Sequence, residues 1–385
     1  LNEGAGGQRV CMQPTIGYTD YGNWDAYRAN SFSHVDGKTI YIENEYELAL
    51  LAYNVNNGNS YYGTTFVLNR DLNLSDHWWI PIGNAYNRCF SGNFDGRGHT
   101  ISGIIINSTE DCQGLFGRVI GSVYTTGLSL GCRYIKKLVV KNSSIKGNDT
   151  VGGVVGGIED GITLENVVCE ADVTGHNYVA GIVGDVTDIF DNRGYKECIA
   201  NIRNCLFLGG RITANSDRGA VSGKSLGYIS YSNNYYVNPD SYVGNSRDVR
   251  AYPISMSLAD GVTVNSVAGV KYDGKLYHPA GDVNFSVAHN LNQSVSVNVN
   301  GYNVSTPEGT YSFNFDPAYD YVINVTTSTN SHTFAGNGTQ GNPYLITSQD
   351  DWNYIVNYLS SGEAPNDLSG VYFKLDTDIT VNQRM

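Results

Sequence analysis

Between about residues 60 and 250 the chain repeats one pattern of hydrophobic and polar positions. Apolar residues alternate with polar ones over short runs, and each run closes on a tetrad of small, apolar, apolar and small residues. Since side chains on a strand alternate between its two faces, each run predicts a half-buried β-strand. Three copies align through their tetrads and a degenerate copy precedes them: Gly153–Gly156, Gly181–Gly184, Gly219–Ser222 and, earlier, Gly114–Gly117.

Strands that recur at a nearly fixed period can stack in parallel and cover one another's apolar faces. Glycine permits positive-φ corners between such strands, and asparagine tolerates the same geometry. We therefore predict a right-handed parallel β-helix over residues 40–250. An immunoglobulin-like sandwich is the competing β architecture, and it does not account for tetrads at matched offsets.

A second, larger repeat relates the start of this region to the end of the chain. The segment from Ile42 onward recurs from Ile346, at an offset of 304 residues that grows to 307 farther along. We predict a capping helix at about 44–56, which covers the open end of the β-helix, and a linker with the start of a second such unit at 330–385. Both copies open with a helix-capping signature: Asn44-x-x-Glu47 and Ser348-x-x-Asp351.

A different pattern separates the two copies. Within residues 251–329 short runs alternate between apolar and polar residues, as at Val295, Val297 and Val299, and turn signals such as Asn300-Gly301 join the runs. We predict a small antiparallel module that resembles a β-sandwich. Residues 1–39 are expected to form an N-terminal extension.

Composition agrees with an all-β chain rich in turns and narrows the class of partner. The 385 residues include 45 glycines, and charged residues make up only 16%. The formal net charge is −13 and no basic stripe interrupts it, which argues against nucleic acid as a partner. No apolar run approaches the roughly 18 residues of a transmembrane segment. The chain opens at Leu1 without a leader pattern, so we expect any signal peptide to be absent from it.

The seven cysteines match neither a zinc site nor the disulfide framework of a small domain. On the repeat register Cys169 and Cys205 fall in inward apolar columns, at diagonal positions in successive coils. Neighbours at that offset are about 8 Å apart, which is beyond easy disulfide reach. We predict that both are small buried hydrophobic residues.

Two polar clusters are candidate sites of chemistry. Asp95, Arg97 and His99 are the best local set for a polysaccharide lyase or hydrolase, but formation of a sharp turn accounts for them more simply. We predict no required cofactor and no catalytic residue. A second cluster offers oxygen ligands for calcium, in a spacing that matches neither an EF-hand nor a nonapeptide repeat and favours a solvated loop: Asp185, Asp188, Asp191 and Asn192.

Adjacent aromatic residues are the remaining signal for binding. On a strand one member of each pair points outward, and an exposed ring can stack on a sugar or anchor a partner protein. Trp79 is expected to lie in the core. The candidate ligand-binding residues are Trp78, Tyr61, Tyr62, Tyr235 and Tyr236.

The ordered set of motifs resembles the bacterial GLUG-motif proteins. Gly114-Leu-Phe-Gly117 is similar to the family tetrad, and the stretches Trp79–Gly83 and Phe90–Gly103 resemble the sequence that precedes it. Gly341–Ile346 resembles the usual opening of the family. The resemblance implies an exported, surface-exposed bacterial protein with adhesin-like character, and it brings no catalytic residues with it.

Together these features predict a non-catalytic, secreted or cell-surface protein that binds a glycan or a surface protein through a face of the β-helix. A polysaccharide-active lyase or hydrolase on the same scaffold is one alternative. A structural spacer without a ligand is the other. Two carboxylates within about 10 Å of each other, flanked by exposed aromatic rings, would favour the enzyme.

Overall fold

The chain divides into two compact units, residues 1–250 (unit 1) and 251–385 (unit 2). Strands dominate both units, and two α-helices occur among the described residues, which agrees with the predicted all-β class. The computed structural model describes residues 22–121, 133–159, 161–187, 200–226, 229–238, 247–304, 310–330, 332–360, 364, 368 and 370–380.

The described part of unit 1 contains a 3-10 helix at Trp24–Ala26 and the α-helix α1 at Glu45–Asn56. Its strands are β1 His34–Asp36, β2 Thr39–Ile42, β3 Thr65–Leu68, β4 Leu72–Asn73, β5 Asn93–Asp95, β6 Thr100–Ser102, β7 Ile105–Asn107, β8 Phe116–Ile120, β9 Arg133–Lys146, β10 Val151–Gly152, β11 Val155–Glu159, β12 Ile162–Thr174, β13 Asn177–Ala180, β14 Val183–Thr187, β15 Ala200–Arg203, β16 Leu206–Gly209, β17 Ile212–Thr213, β18 Ser216–Gly219, β19 Ser222–Leu226, β20 Ile229–Ser232, β21 Tyr235–Tyr236 and β22 Val249–Arg250.

Three sheets build the described part of unit 1, and the strands given above pair in parallel apart from the β1–β2 hairpin. The long sheet follows the order β1-β2-β3-β5-β9-β12-β16-β21-β22, and the other two are β10-β13-β18 and β8-β11-β14-β19. From β9 to β14 the chain visits the three sheets in rotation, twice. Each such passage, here called a coil, adds a strand to every sheet, and the apolar side chains of successive coils meet in one core.

The strand register corrects the predicted alignment of the third tetrad. Val183 pairs with Ser222, so the tetrad in register is Ala220–Gly223 and not Gly219–Ser222. Gly219 instead ends strand β18 in the neighbouring sheet. This copy therefore also closes on a glycine, Gly223.

A tight corner in the preceding coil requires the closing glycine of each tetrad. A Cβ on Gly184 would lie 2.6 Å from the backbone nitrogen of Val151 and 2.7 Å from the carbonyl carbon of Thr150. Thr150 has a left-handed backbone conformation, with a φ of 63°, and forms the corner between two strands. The backbone at this corner lies close to Gly184. The equivalent corners of the other coils are also left-handed, at Cys112, Tyr178 and Asp217.

Helix α1 covers one end of unit 1 and begins with the predicted capping box. The Glu47 amide donates to Asn44 Oδ1 at 3.0 Å, which satisfies an amide that the helix itself leaves unpaired. The Glu47 carboxylate accepts from the amides of Ser33 and Glu43, both at 2.9 Å. The apolar face of the helix lies against the core of the first coils.

At the other end of unit 1, Asp248 occupies the position of a further coil. Tetrad amides of earlier coils donate to carbonyls of the next coil, as Val154 N does to Ile182 O at 3.0 Å. The last tetrad donates to a carboxylate instead: Asp248 accepts from Ala220 N at 2.6 Å and from Val221 N at 3.3 Å.

The described part of unit 2 contains one α-helix, α2 at Gln349–Ser360. Its strands are β23 Tyr252–Leu258, β24 Thr263–Ser266, β25 Val270–Tyr272, β26 Lys275–His278, β27 Gly281–Ala288, β28 Gln293–Val299, β29 Tyr302–Asn303, β30 Thr310–Phe315, β31 Val322–Thr329, β32 Tyr344–Ile346 and β33 Phe373–Leu375.

Most of unit 2 is a module of two sheets, β25-β26-β23-β31-β28-β29 and β24-β27-β30. Their pairs are antiparallel except β23–β31, so the predicted hairpins are present beside one parallel pair. Alternate residues of both sheets meet in a separate core, to which Phe285 and Ile323 contribute.

The end of unit 2 repeats the start of unit 1. Strands β32 and β33 pair in parallel as β2 and β3 do, and a helix joins the two strands in each copy. The pair Ile42–Leu68 corresponds to Ile346–Leu375, which reproduces the predicted offsets of 304 and 307 residues. Helix α2 also has its predicted cap, in which the Asp351 amide donates to Ser348 Oγ at 3.1 Å.

Candidate functional site

The structure does not bring the five predicted aromatic candidates together. Trp78, Tyr61 and Tyr62 lie in the first coils of unit 1, whereas Tyr235 and Tyr236 lie on β21 in the last. Trp78 is half-buried, and its neighbour Trp79 is a core residue as predicted. The candidates therefore form separate features, and each must be judged by its own contacts.

Four of the candidates have contacts within the fold. The Tyr61 ring packs edge-on against Phe66 at 4.9 Å, and the Arg133 guanidinium lies 4.2 Å from the centre of the Tyr62 ring. Tyr235 is buried, and Tyr236 packs against the core. These contacts account for four of the rings through coil packing.

The backbone of Trp78 adjoins a cluster of rings at the helix-capped end of unit 1. The His77 ring stacks on Tyr27 with centroids 3.7 Å apart and meets Trp24 edge-on at 4.9 Å. Trp24 in turn meets Tyr46 of helix α1 edge-on at 5.8 Å. We call Trp24, Tyr27, Tyr46, His77 and Trp78 the cap patch.

The backbone fixes the position of the cap patch. Trp24 is buried and donates its indole N–H to Leu74 O at 3.0 Å, while its amide donates to Trp78 O at 3.1 Å. The amide of Ala29 donates to Tyr46 O at 2.8 Å, which ties this segment to helix α1. These hydrogen bonds fix the backbone segments that carry the exposed rings of the patch.

Two rings of the cap patch remain largely open to solvent. Tyr27 is 45% exposed and Tyr46 is 50% exposed, and each nevertheless contacts a buried or half-buried partner ring. Aromatic rings that are supported on one side and open on the other can stack on the apolar face of a sugar or a planar side chain. The cap patch is therefore the candidate binding surface of unit 1.

Charged groups border the cap patch. The Arg28 guanidinium lies 3.7 Å from the centre of the Tyr53 ring and donates to the backbone carbonyl of Asp25. Burial raises the pKa of the Asp25 carboxyl, and the nearby Arg28 charge partly opposes that rise. A donor and an acceptor that could meet sugar hydroxyl groups are thus present beside the exposed rings.

Sequence reasoning missed Tyr27 and Tyr46 because it examined adjacent aromatic pairs. A usable signal was present for Tyr46, which lies outside the apolar helical face that Leu48, Leu51 and Val55 form. No comparable signal marked Tyr27, since its contact with His77 joins residues 50 positions apart.

Charged residues form a ladder on the outward face of the long sheet. The register aligns Asp95, Lys136, Glu165 and Arg203 on successive strands. Lys136 Nζ lies 3.4 Å from Asp95 Oδ2, and Arg203 Nη2 lies 3.0 Å from Glu165 Oε2. The strands that carry the two carboxylates are two strand spacings apart, about 9.6 Å, and the strand of Lys136 lies between them. Alternating charges of this kind stabilise stacking between strands and do not resemble an acid–base pair.

The predicted turn role of Asp95, Arg97 and His99 agrees with the structure. Asp95 Oδ1 accepts the amide of Arg97 at 2.9 Å, and Arg97 has a φ of 51°. His99 Nδ1 lies 3.0 Å from Asp71 Oδ1, one coil away. The three residues fix a corner and link neighbouring coils.

Three of the four residues considered as calcium ligands lie outside the described residues, namely Asp188, Asp191 and Asn192. Asp185 is on β14, opposite Gly157 and Lys224. In the described part of the chain no group of three or more histidine, cysteine or acidic residues could hold a metal ion. The solvated loop expected there stays a prediction.

The cysteine positions yield a test of the core. Cys169 and Cys205 are buried free thiols, and burial raises the pKa of Cys205 to about 12 and also raises the pKa of Cys169. Because the thiolate is the reactive form, we expect iodoacetamide at about pH 8 to leave both unmodified in the folded protein. Half-buried Cys89 is the internal control, and we expect more labelling there. Peptide mapping by mass spectrometry measures the labelling, and rapid alkylation of Cys169 would contradict its place in the core.

One relative emerges from comparison with known proteins. A stretch of 131 residues is 35% identical to halomucin of Haloquadratum walsbyi, and the match covers 32% of this chain and 1% of halomucin. The chain therefore spans about one hundredth of the length of that relative. No protein-family model matches the chain, and no solved structure matches it significantly. Among the described residues no helix is long and apolar enough to span a membrane.

Proposed function

We propose that this chain is a segment of an extracellular surface protein that binds a glycan and has no catalytic activity. The observation that carries the proposal is the cap patch, where Tyr27 and Tyr46 expose about half of their surface on a rigid support beside Trp78. The similarity to halomucin, whose name is that of a mucin, supports an extracellular setting. The net charge of −13 also suits a soluble surface-exposed chain.

We also propose that unit 1 is a right-handed parallel β-helix of the GLUG-motif kind. Parallel pairing in three sheets, with a rotation of the chain among them, supports the helix. The tetrads that resemble the family fall in register on successive coils, which supports the resemblance. Such a scaffold presents helix α1 and the cap patch at one end, where a surface ligand can reach them.

A glycan array tests the binding proposal. We expect the full chain to bind at least one glycan, and the Tyr27→Ala, Tyr46→Ala double variant to lose about tenfold in affinity, because two stacking rings are removed. Trp78→Ala should weaken the same binding.

Tyr86→Ala is the matched control, because Tyr86 is 70% exposed but lies outside the cap patch. Equal affinities for the patch variant and the control would contradict the proposal. Absence of any glycan binding would favour the spacer, and release of reducing sugar or unsaturated product from a polysaccharide would favour the enzyme. Far-UV circular dichroism on heating checks that each variant folds.

A further inference from the structure

Two tyrosines in the antiparallel module of unit 2 expose most of their surface. Tyr302 is 78% exposed and Tyr319 is 68% exposed. Other aromatic rings of this module are packed, as Tyr311 stacks on Phe285 at 5.4 Å and Tyr321 stacks on Phe313 at 5.5 Å. Tyr302 and Tyr319 thus differ from their neighbours in exposure. Their rings stay in solvent and do not contribute the large free energy that burial of an aromatic ring would provide.

One side chain ties together the turns that carry the two tyrosines. Asn300 begins the turn before Tyr302, and its Oδ1 accepts the amide of Val322 at 2.8 Å. Its Nδ2 donates to Asp320 O at 2.9 Å, in the turn that contains Tyr319. The two turns are therefore cross-linked at the same end of the module.

Each turn is also rigid by itself. Asn300 and Gly301 have φ values of 52° and 86°, as a two-residue hairpin turn requires, and Gly301 N donates to Asn298 Oδ1 at 2.7 Å. In the other turn Asp316 Oδ1 accepts the amide of Ala318 at 3.0 Å, and Asp316 O accepts that of Tyr319 at 3.1 Å. Rigid aromatic side chains bind with little loss of conformational entropy.

The surroundings of the two rings define the class of ligand. Asp316 and Asp320 are exposed next to Tyr319, so the surface repels anionic groups and offers acceptors to hydroxyl donors. A saccharide without charge combines hydroxyl groups with apolar ring faces, which match carboxylates and tyrosine rings respectively. An acidic glycan or a phosphorylated partner would meet repulsion.

We propose that the turns with Tyr302 and Tyr319 form a second carbohydrate-binding surface, specific for neutral oligosaccharides. Asn300 is its positioning residue, because it holds the two turns together and leaves the rings free. This surface is independent of the cap patch, so the chain would have one glycan contact in each unit.

The test uses the full chain on an array of neutral and anionic glycans, followed by titration calorimetry with the neutral oligosaccharide that binds best. We expect binding of at least one neutral glycan and a loss of about tenfold or more in the Tyr302→Ala, Tyr319→Ala variant. Asn300→Ala should weaken binding while both rings remain. Tyr86→Ala is the control for loss of an exposed ring elsewhere.

The outcomes separate this inference from the proposed function. Loss of binding to that neutral oligosaccharide in the Tyr302→Ala, Tyr319→Ala variant, with full binding in the Tyr27→Ala, Tyr46→Ala variant, would support the second surface. The cap patch is then tested with the other glycans of the array. The reverse pattern would overturn the second surface. Absence of binding to every neutral glycan, or preference for anionic glycans, would also overturn it.

Discussion

Gly156→Ala is expected to destabilise unit 1 by about 3 kcal/mol or more, the upper range for overpacking a rigid core. A Cβ at this position would lie 2.6 Å from Gly117 O and 2.9 Å from the Cα of Cys112. Both are backbone atoms held by hydrogen bonds: Gly117 lies on β8, which pairs in parallel with β11, and the Cys112 amide donates to Asp149 O at 2.9 Å. No side chain can therefore move aside. The effect is measured by following tryptophan fluorescence during denaturation with guanidinium chloride in a Trp352→Phe background. The three remaining tryptophans belong to unit 1, so the fluorescence reports on the unfolding of that unit.

Gly157→Ala is the matched control on the same strand. Its added Cβ would meet Thr150 Cγ2 at 3.3 Å, and that methyl group is the nearest contact. A small shift of one side chain can accommodate it, so we expect a stability within about 0.5 kcal/mol of the parent. Similar losses for both variants would contradict the account of the closing glycine as a stacking requirement.

The sequence predicted the elements that depend on local or repeated patterns. The two capping boxes and the offsets of 304 and 307 residues are confirmed, because capping needs residues only three apart and repeats are visible by alignment. The third tetrad was misplaced by one residue. Gly219 and Ser222 are both small, so composition alone did not distinguish the two registers, and strand pairing did.

The asparagines show how much of the turn geometry could be predicted from residue type. Asn166, Asn204 and Asn233 occupy equivalent left-handed corners, with φ values of 53°, 54° and 52°. The tolerance of asparagine for this geometry was the reason to expect turns. Lys137 occupies the same corner in the preceding coil with a φ of 51°, and no propensity would have placed it there. Stacking on the next coil fixes that backbone whatever the side chain.

The candidate sites were less predictable than the fold. Trp78 was predicted from sequence, but Tyr27 joins the cap patch only by stacking on His77, a contact between distant segments. Tyr302 and Tyr319 gave no sequence signal, since exposure depends on what the rest of the module leaves uncovered. The alternation of apolar and polar residues in the sequence predicts which side chains face inward. Which of the outward rings pack against a neighbouring residue depends on the tertiary structure.

Asp248 gives the last coil a stability that depends on pH. Burial raises the pKa of its carboxyl from 3.8 to about 6, although hydrogen bonds from Tyr231, Ala220 and Val221 oppose the rise. The Tyr231 hydroxyl lies 2.7 Å from Asp248 Oδ1, and burial together with the Asp248 charge raises the pKa of Tyr231 as well. At pH values between 3.8, the pKa of the carboxyl in the unfolded chain, and about 6, its pKa in the folded chain, Asp248 is protonated in the folded chain and ionised in the unfolded chain. The contribution of this group to stability therefore falls as the pH rises through that window.

Asp248→Asn should remove this dependence while it keeps an oxygen acceptor for the amides of Ala220 and Val221. The free energy of unfolding of the parent, minus that of Asp248→Asn, is expected to rise by about 2 to 3 kcal/mol as the pH falls from about 8 to about 4. Taking the difference cancels the carboxyl groups that both proteins share. Guanidinium denaturation in the Trp352→Phe background supplies both values, and Tyr231→Phe separates the contribution of the hydroxyl. A difference that stays constant across the pH range would show that the carboxylate at the end of unit 1 is solvated, and that the last tetrad does not depend on a buried charge.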